Sequence, residues 1–114
     1  MKKTIMIKKN YEFKHLFSKG KFYYGEYIHM YIKETNQDTN KLGIAVSKKQ
    51  GKAVKRNHIK RLIRENYKSL EMRMKTGISV LIVINKDKDI KDITYKQIEE
   101  NFLRTLKKAN VLVD

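Results

Sequence analysis

The sequence predicts an α+β fold, a two-layer sandwich with the element order α-β-β-β-α-β-α. Three observations predict it: apolar and polar residues that alternate over 28–34 and 42–46, a nearly unbroken apolar run over 78–84, and three stretches with apolar residues at helical spacing. The chain has 114 residues, enough for one hydrophobic core and too few for two. We therefore expect a single domain over residues 1–114.

The first helix is predicted to begin at Asn10, a residue type that favours helix N-termini. Its apolar residues Phe13, Leu16 and Phe17 are spaced i, i+3 and i+4, and Gly20 is expected to end it. The pattern leaves open whether Phe13 and Phe17 belong to the core or line a groove beside it.

Strand alternation follows from Phe22 to Glu34. A break near Gly25 would divide this segment into two strands, and without a break the fold has one strand fewer. The polar residues 34–40 are predicted to form a hairpin connection to a further strand. Core-facing residues are expected to be Ile28, Met30 and Ile32 on the earlier strand and Leu42, Ile44 and Val46 on the later one, with Tyr27, His29, Tyr31, Lys33, Gly43, Ala45 and Ser47 on the opposite face.

A long amphipathic helix is predicted from Ala53 to Met74. Gly77 ends it, and the apolar strand Ile78–Ile84 follows, so that strand, helix and strand form a crossover unit. Thr94 is expected to cap a last helix. The predicted buried stripes are Ile59, Leu62, Ile63, Tyr67 and Leu70 on the long helix, and Ile98, Phe102, Leu103, Leu106 and Ala109 on the last one.

The charge of the chain indicates a polyanionic partner. There are 27 Lys and Arg against 12 Asp and Glu, a formal net charge of +15. Residues 41–68 alone hold ten bases and one acid, Glu65, a surface that the domain cannot neutralise from within. We interpret the partner as RNA, whose binding releases counterions.

Composition excludes several other classes of protein. Without cysteine, disulfides and thiol chemistry are impossible. The longest apolar run falls short of a membrane span, and the N-terminus lacks the features of a signal peptide. We therefore expect a cytoplasmic protein without membrane contact.

Catalytic residues are not evident. His15, His29 and His58 lie on different predicted elements, and neither they nor the adjacent Glu99 and Glu100 form a metal or acid/base pair. We expect no catalytic residue and no metal site in the protein itself.

Two surfaces are candidates for RNA binding. The loop over 47–52 leads with three lysines into a helix N-terminus, where backbone N–H groups favour an anion. Along the helix, Lys60, Arg61, Arg64 and Lys68 share one arc beside the core stripe. The second surface is the outward strand face, where Tyr27, His29, Tyr31 and Lys33 alternate aromatic and basic side chains suited to single-stranded nucleotides.

The basic stretch resembles the protein subunit of bacterial ribonuclease P. The likeness rests on Leu42-Gly-Ile-Ala-Val-Ser-Lys-Lys, then Gly51 and Ala53-Val54, Arg56-Asn57-x-Ile59-Lys60-Arg61 and Ile63-Arg64-Glu65. Upstream, Ile7-Lys-Lys-Asn10 with Phe13 and Phe17 ahead of Gly20 also fits. The chain departs from the family pattern at Tyr24-Gly25-Glu26, where an Asn-Arg pair is usual.

The resemblance implies a fold like the second domain of ribosomal protein S5, with a left-handed β-α-β crossover. It implies that an RNA subunit with Mg²⁺ cleaves the 5′ leader from precursor tRNA, and that one monomeric protein per RNA supports this reaction. The implied contacts with the RNA subunit are Lys52, Lys55, Arg56, Asn57, Lys60, Arg61, Arg64 and Lys68. The implied contacts with the single-stranded leader are Phe13, Phe17, Tyr27, Tyr31, Lys33, Ser47, Lys48 and Lys49.

Two other functions remain open. A small ribosomal protein of similar fold would explain the charge and the basic helix without a groove for a free single strand. A DNA-binding regulator would place the helix in a major groove, but the helix offers phosphate-binding side chains beside a core stripe instead of groups for base edges.

Overall fold

The computed structural model describes residues 3–113, which form a five-stranded sheet and three helices. The strands are β1 (Thr4–Met6), β2 (Lys21–Tyr23), β3 (Ile28–Glu34), β4 (Asn40–Ala45) and β5 (Ile78–Ile84). The helices are α1 (Asn10–Lys19), α2 (Ala53–Leu70) and α3 (Tyr95–Lys108), and short 3-10 turns occupy Lys48–Gln50, Glu71–Arg73 and Ile90–Asp92.

Strand β5 is the centre of the sheet, whose order is β1-β4-β5-β3-β2. It runs parallel to β4, with Leu42 opposite Val80, and antiparallel to β3, with Met30 opposite Ile82. All its residues except the half-buried Val83 are buried, as expected for an apolar strand covered on both faces. The predicted β4-α2-β5 crossover is confirmed, and the hand of that connection stays a prediction.

Two strand predictions are wrong. Residues 34–40 do not close a hairpin, because β5 lies between β3 and β4 and pairs with both. Strand β1 was not predicted, since three residues are too few to show an alternating pattern. It pairs in parallel with β4 at the sheet edge, and the Thr4 hydroxyl lies 2.8 Å from the buried Tyr67 hydroxyl of α2. The break near Gly25 is confirmed by the separate strands β2 and β3.

The main core lies between the sheet and the pair α2 and α3. It contains the predicted inward residues of β3 and β4, among them Ile28, Met30 and Leu42, all fully buried. A smaller cluster on the other face joins Ile7, Leu16 and Leu81 under α1. Helix α1 thus covers part of the second face and leaves the rest of that face open.

The helix ends follow the predicted signals only in part. Thr94 and Gln97 form a reciprocal capping box at the start of α3. Gly77 has φ of +76° and lies so close to the Thr35 and Gln37 carbonyls that a side chain would collide with them. The predicted end of α2 is wrong: the helix ends at Leu70, four residues before Met74, and a 3-10 turn over Glu71–Arg73 follows, so that Gly77 lies in the turn before β5 and does not end the helix. Asn10 is not the cap predicted for α1, because it is the first helical residue and Lys9 precedes it without a side-chain cap.

Candidate nucleic-acid interface

Helix α2 presents a basic surface beside its buried stripe. Ile59, Ile63, Tyr67 and Leu70 are buried and Leu62 is half-buried, so the helix is held to the core along one side. The predicted basic and polar residues occupy the remaining sides: Lys52, Lys55, Asn57, Arg61, Arg64 and Lys68 are exposed, and Arg56 and Lys60 are half-buried.

Most of this positive charge is not neutralised by nearby acids. Arg61 Nε lies 3.8 Å from Glu65 Oε1, and both side chains are more than half exposed, so water screens the pair. Arg56 Nη1 instead donates to the Gly51 carbonyl at 2.6 Å, which holds its guanidinium near the first turn of the helix. The helix therefore carries a row of cations that can bind phosphates.

The loop before α2 is ordered by its own hydrogen bonds. Ser47 Oγ accepts from the Lys49 N–H at 3.2 Å, and Gln50 Oε1 accepts from the Ser47 N–H at 3.1 Å. Lys48 and Lys49 extend into solvent from the resulting 3-10 turn. The Ser47 hydroxyl has a local role in this turn, and the two lysines are the groups free to meet an anion.

The open part of the second sheet face carries aromatic side chains. Phe17 of α1 meets Tyr31 of β3 edge to face, with ring centroids 4.9 Å apart. Phe13 packs against the small cluster under α1, and a side chain at Gly43 would touch its ring at 3.0 Å. The two residues that the sequence left open therefore differ: Phe13 is half-buried against the small core cluster, and Phe17, which is 45% exposed, lies on the open aromatic face beside α1, which is called the groove below.

Two predicted residues lie away from this groove. Tyr27 precedes β3, so the strand alternation does not extend to it; its N–H donates to Asn101 Oδ1, and its ring packs toward the main core. Lys33 lies on the opposite flank of α1, where its Nζ is 2.7 Å from His15 Nε2. The structure therefore brings Phe17 and Tyr31 together and does not bring Tyr27 or Lys33 to them.

Phe22 and Tyr24 lie on the same face and were not selected from the sequence, whereas His29, which lies between them, was predicted to be on the outward strand face. Phe22 lies directly opposite Tyr31 in the β2–β3 register and contacts both Tyr31 and His29, at 5.1 and 5.2 Å between ring centroids. Tyr24 contacts His29 at 4.8 Å. Phe22 and Tyr24 could have been found from their spacing ahead of Gly25, since residues two apart in a strand share a face.

Residues 3–113 contain no cluster of three or more His, Asp or Glu side chains able to hold a metal ion. No helix in the same range is both long and apolar enough to cross a membrane.

A family model described as ribonuclease P matches residues 1–110 of the chain. The chain belongs to the ribonuclease P protein family. A ribonuclease P protein component of Clostridium botulinum strain Loch Maree is 41% identical over 106 residues, which cover 92% of this chain and 94% of the relative. This membership decides between the three functions that the sequence left open.

Solved ribonuclease P proteins have the same fold. The Staphylococcus aureus protein superposes with a TM-score of 0.81 at 35% identity, over 94% of this chain and 96% of that one. The Thermotoga maritima protein gives a TM-score of 0.80 at 25% identity, over 91% and 96% of the two chains. The predicted α+β class and the resemblance stated from the basic stretch are both confirmed.

Proposed function

We propose that this chain binds the ribonuclease P RNA through α2 and Lys52 before it, and the 5′ leader of precursor tRNA through the aromatic groove and the loop residues Ser47, Lys48 and Lys49. Membership of the family makes the chain a subunit of the endoribonuclease ribonuclease P and a partner of its RNA. Which surfaces bind the RNA, and that the leader of precursor tRNA is a second ligand, are proposed in addition to what that membership establishes.

The observation that supports the first surface is the density of unneutralised cations along α2. Guanidinium and ammonium groups on a rigid helix bind phosphates and set the orientation of an RNA without reading its sequence. Arg56, Lys60 and Arg64 share the helix with a buried stripe that fixes their positions. Such a surface suits a large folded RNA, whose phosphates are spaced across its surface.

The groove residues support the second surface. Phe17 and Tyr31 lie in ring contact on the open sheet face, and every base has a face that can stack on such aromatic rings. A leader varies in sequence from one precursor to the next, so stacking is a suitable mode of recognition. Mature tRNA lacks the leader and gains nothing from these contacts.

We assign the chemistry to the RNA subunit. Mg²⁺ held by that RNA supports attack of water on the phosphodiester, and the protein contributes placement of the substrate. We infer one monomeric protein per RNA, acting in the cytoplasm.

The direct test is cleavage of a 5′-labelled precursor tRNA by bacterial ribonuclease P RNA at low Mg²⁺, with and without this protein. We expect correct 5′ cleavage to be restored by the protein, and no cleavage by the protein alone. Tight RNA binding without any gain in cleavage would contradict the proposal and favour a general RNA-binding role.

A further inference from the structure

The groove continues past Tyr31 as an unbroken row of five rings. Starting at Phe17, the row passes through Tyr31, Phe22 and His29 to Tyr24. Neighbouring ring centroids are 4.8 to 5.2 Å apart, and the planes are tilted by 37° to 67°. Each ring therefore contacts the next, and the row crosses from α1 over β3 to the end of β2.

Strand pairing places these rings on one face. Phe22 is opposite Tyr31 in the antiparallel β2–β3 pair, and His29 is two residues from Tyr31 on the same strand. Tyr24 follows β2 and is 71% exposed, while Phe22 is 47% exposed. Tyr31 and His29 are half-buried, and the exposed rings of Phe17, Phe22 and Tyr24 around them indicate a binding surface, because core packing does not require exposed aromatic side chains there.

The conformation at Gly25 fixes the end of the row. A side chain at Gly25 would collide with the Ile28 carbonyl and the Asn101 amide, so the chain turns tightly between Tyr24 and β3. The Gly25 N–H donates to His29 Nδ1 at 3.0 Å. Tyr24 and His29 are therefore held together by the same turn.

That hydrogen bond also determines which nitrogen of His29 carries the proton. Because Nδ1 accepts, the neutral ring has its proton on Nε2, and within residues 3–113 no acceptor is found for it. Burial lowers the pKa of His29, and the nearby Asp87 opposes this only in part. At neutral pH the ring thus offers one free N–H donor between two aromatic neighbours.

We propose that Phe22, His29 and Tyr24 extend the leader-binding groove, with Phe22 and Tyr24 stacking on additional leader nucleotides and His29 donating from Nε2 to one of them. This inference rests on the proposed leader-binding function. The row of ring contacts ends at Tyr24, whose ring meets His29.

The extension predicts how affinity depends on leader length. The holoenzyme, assembled from this protein and ribonuclease P RNA, is titrated with precursor tRNAs whose leaders grow one nucleotide at a time from none. Wild-type affinity should rise with length and then level off. The double variant Phe22→Ala/Tyr24→Ala should level off at a shorter leader and bind long leaders about fivefold or more weakly, with mature tRNA unaffected.

A second variant isolates the hydrogen bond. His29→Phe keeps an aromatic ring in the row and removes the Nε2–H, so long-leader affinity should fall while mature tRNA binding stays unchanged. Tyr11→Ala is the matched control, because Tyr11 is an exposed ring on the opposite flank of α1 and should have no effect. Circular dichroism and thermal unfolding verify that each variant is folded.

The outcomes separate this inference from the function on which it rests. If wild-type affinity does not depend on the leader at all, leader binding itself is wrong. If the wild type gains affinity with leader length and the double variant levels off at the same length, the extension alone is overturned. If His29→Phe binds long-leader precursor tRNA as tightly as the wild type, or if it loses affinity equally for precursor and mature tRNA, the donor role of His29 is wrong.

Discussion

We expect two single side chains, Phe17 and Tyr31, to discriminate precursor tRNA from mature tRNA. Their rings meet at 4.9 Å, and Phe17 keeps nearly half its surface exposed for a further partner. Phe17→Ala or Tyr31→Ala should weaken precursor tRNA binding by about 1–3 kcal/mol, the usual contribution of one base–aromatic stack. Parallel titrations of the holoenzyme with precursor and mature tRNA measure these affinities. An equal loss of affinity for both tRNAs would mean that these rings do not contact the leader.

Asn101 holds the start of β3 from α3. Its Oδ1 accepts from the N–H groups of Tyr27 and Ile28, at 2.9 and 3.1 Å, and its Nδ2 donates to the Ile28 carbonyl. Asn101→Ala leaves these backbone groups without their partner in a buried place and should lower the free energy of unfolding by about 2–3 kcal/mol. Urea unfolding measures this change in the free energy of unfolding, and Asn57→Ala, at an exposed position, is the control. Equal stability of the two variants would refute the role of Asn101.

We expect the basic side chains of helix α2 to act together in binding the RNA subunit. Replacing Arg56, Lys60 and Arg64 together by Ala removes three cations from one surface without touching the buried stripe. Affinity for the RNA subunit should fall, and the slope of log K against log salt should decrease by about two to three, one counterion for each lost phosphate contact.

The control for this variant has the same change of net charge. Lys91 in the turn Ile90–Asp92 and Lys96 and Lys107 of α3 are exposed bases, and their replacement by Ala should leave the slope close to wild type. Equal effects of the two triple variants would mean that net charge, and not the surface of α2, determines binding.

At the scale of the whole molecule, the net charge of +15 opposes folding of the free protein. Salt screens this repulsion, since the Debye length shortens to about 10 Å at 0.1 M. Raising NaCl from about 0.02 to about 0.5 M should therefore raise Tm; a gain of about 1 kcal/mol corresponds to roughly 4 °C. Thermal unfolding followed by circular dichroism checks this, and a Tm that falls with salt would contradict it.

The sequence by itself determined the elements that depend on local patterns and composition. The stripes of α2 and α3, the alternation of β3 and β4 and the cap at Thr94 could be predicted, because periodicity and backbone geometry act over a few residues. The end of α2 could not, since the helix ends at Leu70 and Gly77 lies in the turn before β5. The basic side of α2 could be predicted for the same reason, and the ordered sequence motif around Arg56 and Asn57 indicated the family.

Only the tertiary structure decided which strands are neighbours and which rings meet. The insertion of β5 between β3 and β4, the pairing of β1 with β4, and the displacement of Tyr27 and Lys33 from the groove depend on contacts between residues far apart in the chain. The row from Phe17 to Tyr24 likewise exists through the β2–β3 register and the packing of α1. Long-range pairing is set by burial of the whole sheet, which no local pattern encodes.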